Sequence, residues 1–141
     1  MEMLWPLLVI VGSNTFYHIS SKSIPGNSNA FLSLAVTYLV ACGVALMLFF
    51  ITSPSKSILN EFDKLNWASL ILGFAIVGLE FGYIYLYRAG WKISVGSLVA
   101  NVTLAIVLLV VGVLLYKETI TLRQVIGMCL CAGGLAMVNL K

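Results

Sequence analysis

Apolar residues along this chain come in long unbroken runs, without the strict alternation of a half-buried strand. Residues 102–115 are almost continuously apolar. A helix needs roughly 20 such residues to cross a hydrocarbon core about 30 Å thick. Five stretches qualify: 4–20, 30–52, 67–87, 95–116 and 122–140. A membrane barrel would need alternating apolar and polar positions instead. The pattern therefore predicts an all-α, polytopic membrane protein. Its five transmembrane helices form one integral-membrane domain over residues 1–141.

The connections are short. Pro25-Gly26-Asn27 marks a turn between the first two spans. Residues 53–66 make the longest loop, and within it Ile58, Leu59, Phe62 and Leu65 share one helical face. With Pro54 and Ser55 or Ser57 at its start, that segment reads as a short helix on the membrane surface. An ordinary solvated loop is the competing reading. The loops at 88–94 and 117–121 leave room only for tight turns between antiparallel helices. The chain opens Met1-Glu2-Met3, without a positive region, and no small-x-small site follows. The first stretch is thus expected to be a span, not a signal peptide.

Composition reinforces the pattern. Of the 141 residues, 61% are hydrophobic and 9% charged. Mean hydropathy is +1.06. Soluble domains are about 45–50% apolar and about 25% charged, and a short chain buries only part of its surface. These values exclude a soluble enzyme, a nucleic-acid binder and a disordered tail. The expected partner is membrane lipid, and the expected place is the cell membrane, crossed several times. Cys42, Cys129 and Cys131 all fall in spans, which argues against a disulfide framework or a zinc site. Trp5, Trp67 and Trp91 sit near span ends, as in an aromatic belt.

Charge leaves the orientation open. With five spans, Lys56, Lys64, Lys117 and Arg123 flank one side of the membrane. Lys22, Arg88, Lys92 and Lys141 flank the other. The eight basic residues divide evenly, so the positive-inside rule gives no preference. Either other features fix the orientation, or the chain inserts both ways and forms an antiparallel pair.

Few polar residues lie inside the spans, and they carry the functional signal. Glu80 is the deepest charge. An acidic side chain near the bilayer centre is costly and usually faces an internal or watery cavity. There it can exchange a proton within reach of physiological pH. Gly73, Glu80, Tyr83 and Tyr87 share a helical face. The face offers space, phenol hydroxyls and rings that attract cations. It is a candidate site for a cation or amine exchanging against protons; a carboxyl hydrogen-bonded to a neighbouring helix is the structural alternative. Asn14, Tyr17, His18 and Ser21 share a face of the first span. Asn14 is deep enough to line a cavity, whereas His18 reads as an interfacial polar residue. Asn101 shares a face with Ser97 in the fourth span, and Tyr38 with Cys42 in the second. Gly127, Cys131, Gly133 and Gly134 would allow close helix approach in the fifth, within one chain or between two.

Residues 115–139 run Leu-Tyr-Lys-Glu-Thr-Ile-Thr-Leu-Arg-Gln-Val-Ile-Gly and on through Gly133-Gly134 to Asn139. This stretch resembles the last two helices of the drug/metabolite transporter superfamily, in its EamA-type and small multidrug resistance members. Asn66-Trp67-Ala68-Ser69, continuing to Arg88-Ala89-Gly90-Trp91, resembles the helix two before the last. Leu4-Trp5-Pro6 to Lys22 looks like the first. The resemblance implies one five-helix EamA-like repeat, pairing most simply with a second copy as a homodimer. It also implies that Glu118 matches the family carboxylate after the fourth helix and caps the fifth. The small multidrug resistance members carry a proton-coupling Glu in the first helix. Asn14 stands there in this chain, and Ala100 stands near their aromatic residue in the penultimate helix. That mechanism does not carry over.

The expectation is a secondary transporter of a small metabolite or organic cation, with alternating access about a midplane site. Glu80 would bind proton or substrate, and Asn14, Tyr83, Tyr87 and Asn101 would shape the pocket. No cofactor, metal or nucleic acid enters this reading, and no enzyme motif is present: a lone His18 cannot supply His-Glu-x-x-His. The alternatives are a non-transporting assembly or regulatory subunit and a lipid-carrier flippase.

Overall fold

The computed structural model describes residues 4–54 and 56–139. Two sequence assignments, Leu140 as the end of the last span and Ser55 as a helix start, fall outside them, as does Lys141. Six helices account for most of the chain: α1 (Leu4–Ser23), α2 (Ala30–Thr52), α3 (Ile58–Phe62), α4 (Trp67–Arg88), α5 (Ile93–Tyr116) and α6 (Leu122–Asn139). Among the described residues there is no strand. Three helices, α2, α4 and α5, are long and apolar enough to cross a membrane. The apolar stretch of α6, Leu122–Met137, is shorter.

Local chemistry sets the helix ends. Asn29 accepts from the Leu32 amide at 3.1 Å and starts α2. Asn66 does the same for α4 through the Ala68 amide at 3.0 Å. Each side chain satisfies a donor that the first helical turn leaves without a partner. After α4 comes Gly90 at φ 91°, a conformation that costs glycine little. Inside the apolar helices hydroxyls bond back one turn. Thr15 reaches the Val11 carbonyl at 2.8 Å, and Thr37 the Ser33 carbonyl at 3.0 Å. Hydrocarbon offers no other partner, so these local bonds keep the hydroxyls satisfied.

The helices gather into two compact units, Met1–Ala89 and Gly90–Lys141. In the first, α4 packs against both α1 and α2. Its core is Ala30, Leu34 and Ile84, with Ile24, Tyr38 and Phe81 packed against it. Ile84 is only 2% exposed, and Phe31 stacks on Phe81 at 4.9 Å. The outer faces carry large exposed apolar side chains such as Phe16, Leu39 and Phe74, suited to lipid contact. Ile58, Leu59, Phe62 and Leu65 are likewise exposed along α3; Ser57 is its N-cap residue. Lys64 pairs with Glu61 at 2.7 Å.

In the second unit α5 packs on α6. Lys117 ends α5 at φ 53°, and the Glu118 amide bonds back to the Gly112 carbonyl at 3.0 Å. This tight reversal folds the Glu118 side chain over α5. A Cβ built on Gly112 would lie 2.6 Å from Glu118 Oε2. The cap of α6 is therefore made by other residues. The Gln124 side-chain carbonyl accepts from both the amide and the hydroxyl of Thr121, each at 2.8 Å. The Gln124 amide faces the Thr121 hydroxyl at 3.4 Å. That reciprocal Thr-x-x-Gln arrangement is a capping box, and it corrects the expectation that Glu118 caps this helix.

Candidate functional site

The polar side chains of the first unit converge on the seams that α4 makes with α1 and α2. On α4, Glu80, Tyr83, Ile84 and Tyr87 recur at spacings of three and four, so they line one face. On α1, Tyr17, His18 and Ser21 do the same. His18 and Ser21 are buried, and Tyr17 and Tyr83 half-buried.

Four rings pack together there. His18 meets Tyr83 edge-on at 4.8 Å, and Tyr17 meets Tyr83 edge-on at 5.6 Å. Tyr83 stacks on Tyr87 at 6.0 Å. Tyr87 hydroxyl and His18 Nδ1 are 2.9 Å apart in a buried hydrogen bond. Lys22 Nζ lies 5.6 Å above the Tyr87 ring. At the same end of α4, Arg88 Nη2 donates to the Pro25 carbonyl at 3.0 Å, the Ser28 carbonyl at 2.8 Å and the Ser28 hydroxyl at 3.1 Å. This ties the α1–α2 turn to α4.

Next to the rings is a cavity of about 290 Å³. Glu80 lines it with Tyr17, Ser20, Ser21 and Thr37, facing an apolar wall of Ile24, Leu34 and Ile84. Among the described residues the Glu80 carboxylate forms no ion pair and no hydrogen bond. The hydroxyls of Tyr17 and Tyr38 are buried and also lack hydrogen-bond partners. Ser21 comes near the Tyr17 hydroxyl without hydrogen-bond geometry. The cavity thus holds a carboxylate without an ion pair and one idle phenol, that of Tyr17. It can bind a proton, a cation or a hydrogen-bonding ligand. No group of three His, Cys, Asp or Glu forms a metal cluster among the described residues.

The residues singled out in the sequence divide. Glu80, Tyr83 and Tyr87 share a face of α4, but Glu80 lines the cavity while Tyr83 and Tyr87 join the ring cluster beside it; Gly73 lies two turns away in open space. Asn14 lies on α1 but is exposed. Asn101 belongs to the second unit, where it lines a cavity of about 200 Å³ with Val102, Ala105, Ile106, Met128 and Cys131. Tyr17, which shares a face of α1 with Asn14, lines the cavity, whereas Tyr38 packs against the apolar core. The Arg88 clamp left no signal beyond one positive charge.

The sequence model of the EamA-like transporter family matches residues 3–140. The chain belongs to the EamA-like transporter family. It is thus an integral membrane protein of a family whose activity is transport, not catalysis. In its first unit, Glu80 brings a carboxylate to the cavity from α4, one of the helices long and apolar enough to cross a membrane. Neither a curated protein nor a solved structure matches the chain significantly.

Proposed function

We propose that this EamA-like chain is a secondary transporter of a small metabolite or organic cation, with Glu80 binding proton and substrate in turn. The observation that carries the reading is Glu80 itself. It is a carboxylate without an ionic or hydrogen-bonding partner, lining a cavity inside a helical unit of a transporter-family protein. A carboxylate held away from water favours either a proton or a cation beside it. Competition between the two couples substrate movement to a proton gradient. Tyr83 and Tyr87 back the cavity from the ring cluster beside it, through Tyr17 and His18, while Asn14 and Asn101 contribute from faces that are open in the single chain.

In this reading five helices, all but α3, cross the cell membrane, and two copies pair, in opposite orientations, to give alternating access. The even division of basic residues supports dual insertion. The exposed amides of Asn14 and Asn101 support pairing, because an amide facing hydrocarbon is costly and a second copy would cover it. The test is Glu80→Gln in proteoliposomes. Proton-coupled uptake is lost while size-exclusion behaviour and thermal stability stay near wild type. Wild-type uptake by that variant would refute the role of Glu80.

A further inference from the structure

We infer that the cavity beside Glu80 selects the ammonium group of a small primary amine bearing an apolar tail, and discriminates against quaternary ammonium ions. The inference deepens the Glu80 reading above and rests on it.

Oxygen-bearing side chains from three different helices line the polar end: Glu80 from α4, Tyr17 from α1 and Thr37 from α2. The Tyr17 hydroxyl is buried without a hydrogen-bond partner among the described residues. A buried hydroxyl left without a hydrogen bond costs free energy, so a ligand that supplies the missing bonds gains that amount on binding. A primary ammonium carries three N–H donors and no acceptor. Carboxylate and phenol oxygens are its complement. A quaternary ammonium satisfies the charge but has no N–H, and it leaves the Tyr17 phenol unpaired.

The rings argue the same way. Quaternary ammonium sites present open aromatic faces to the cation. Here Tyr17 and His18 abut Tyr83 edge-on, and Tyr83 stacks with Tyr87. These aromatic surfaces are engaged with one another, and the Tyr17 hydroxyl is what remains to bind a ligand.

Size and lining fix the rest of the ligand. One water occupies about 30 Å³ in the liquid, so a cavity of about 290 Å³ is far larger than an alkali cation needs. Its other wall is Ile24, Leu34 and Ile84, part of the best-buried core of the unit. An aliphatic or arylalkyl tail along that wall is removed from water together with it.

The purified full-length chain is titrated with n-butylamine, n-butyltrimethylammonium and n-butanol, by calorimetry and thermal shift. Butylamine binds saturably, about tenfold or more tighter than its quaternary analogue, and butanol does not bind. Tyr17→Phe, which lacks the hydroxyl, brings the two ammonium affinities toward parity, whereas Tyr38→Phe, outside the cavity lining, leaves the preference as it was. Glu80→Gln loses both ligands. Thermal stability without ligand shows that each variant is folded. Equal or tighter binding of the quaternary ion overturns the inference. So does a preference unchanged by Tyr17→Phe, or a failure of both cations to bind. Glu80-dependent binding of the quaternary ion would leave the transport reading standing, whereas Glu80-independent proton-coupled flux would remove that reading itself.

Discussion

The Tyr87 hydroxyl and His18 Nδ1, 69 residues apart in sequence, meet at 2.9 Å in a buried contact. It joins α1 directly to α4 beside the Glu80 cavity. Both partners are buried, His18 at 7% exposure and Tyr87 at 5%, so removing either leaves the other without water to replace it. Tyr87→Phe is expected to destabilise the chain by about 1–3 kcal/mol, the cost of a buried group left unsatisfied. In a cycle with His18→Leu the two losses do not add. The coupling is about 1 kcal/mol, within the range measured for helix–helix hydrogen bonds in membranes. Chemical or thermal unfolding in detergent reads both quantities, and additive losses would show that the bond contributes nothing.

Arg88 is expected to hold the α1–α2 turn through its three contacts to Pro25 and Ser28. Arg88→Ala frees that turn. Amides of residues 25–29 then exchange hydrogen faster, while those in the middle of α2 and α4 do not. The stability loss is about 1.5 kcal/mol, the low end for hydrogen bonds to a charged group, because one of the three contacts is open to water. Arg88→Lys restores little. A Lys stem is more flexible, so its ammonium is not pre-organised against the two carbonyls that the single Nη2 of Arg88 reaches.

Gly112 is expected to matter only through Glu118. An added Cβ meets Glu118 Oε2 at 2.6 Å, the far end of a flexible side chain, so Gly112→Ala displaces the carboxylate without breaking α5. Alanine gains about 1 kcal/mol over glycine in a helix interior, and the displaced contact offsets that gain. In a Glu118→Ala background the offset disappears. There Gly112→Ala should stabilise by up to about 1 kcal/mol, read as a difference between two melting curves.

Much of this fold was legible because the chain is punctuated clearly. Pro25-Gly26-Asn27 and Pro54 bound α2, and its predicted limits match the helix, Ala30–Thr52. Boundaries shifted where polar residues stay helical. α1 continues to Ser23 because Ser23 bonds back to the Ile19 carbonyl at 2.8 Å. At the start of α5, Ser97 bonds back to Ile93 at 2.8 Å, two residues before the predicted start. Helical spacing also grouped Glu80 with Tyr83 and Tyr87, and Tyr17 with His18. Which faces would meet was not legible, since that depends on contacts between segments about 70 residues apart. The idle hydroxyls of Tyr17 and Tyr38 belong to the same category. Asn14 looked suited to a cavity by depth, but depth does not determine direction around the helix. Glu118 was misplaced because one left-handed residue, Lys117, turns the following side chain back over α5; by contrast, Thr121 and Gln124 already carried the spacing of a capping box.

The capping box can be tested alone. Thr121→Ala removes the hydroxyl that faces the Gln124 amide and donates to the Gln124 side chain. The expected cost is about 1 kcal/mol, typical of an N-cap hydroxyl. It should appear as faster hydrogen exchange in the first turn of α6. Thr121→Ser should keep nearly all of the stability, because it retains the oxygen. An equal loss in both variants would assign the effect to packing of the Thr methyl group instead.

Orientation supplies the last prediction. Four basic residues flank each side of the five proposed spans, so the positive-inside rule gives no preference and small changes should have large effects. A reporter fused to the C-terminus should give signal from both sides of the membrane in the wild type. Replacing Asn60 and Ser57 by Lys raises one side from four to six and should retain that side in the cytoplasm. Replacing Asn27 and Ser28 by Lys should retain the opposite side, with Asn27→Lys alone showing a smaller effect that leaves the Arg88 contacts intact. Each biased form should lose transport when expressed alone. Co-expression of the two oppositely biased forms should restore it, because an antiparallel pair then becomes available again. Full transport by a single biased form would refute the antiparallel pair while leaving the Glu80 site untouched. Wild-type signal from one side alone would show that features other than Lys and Arg set the topology.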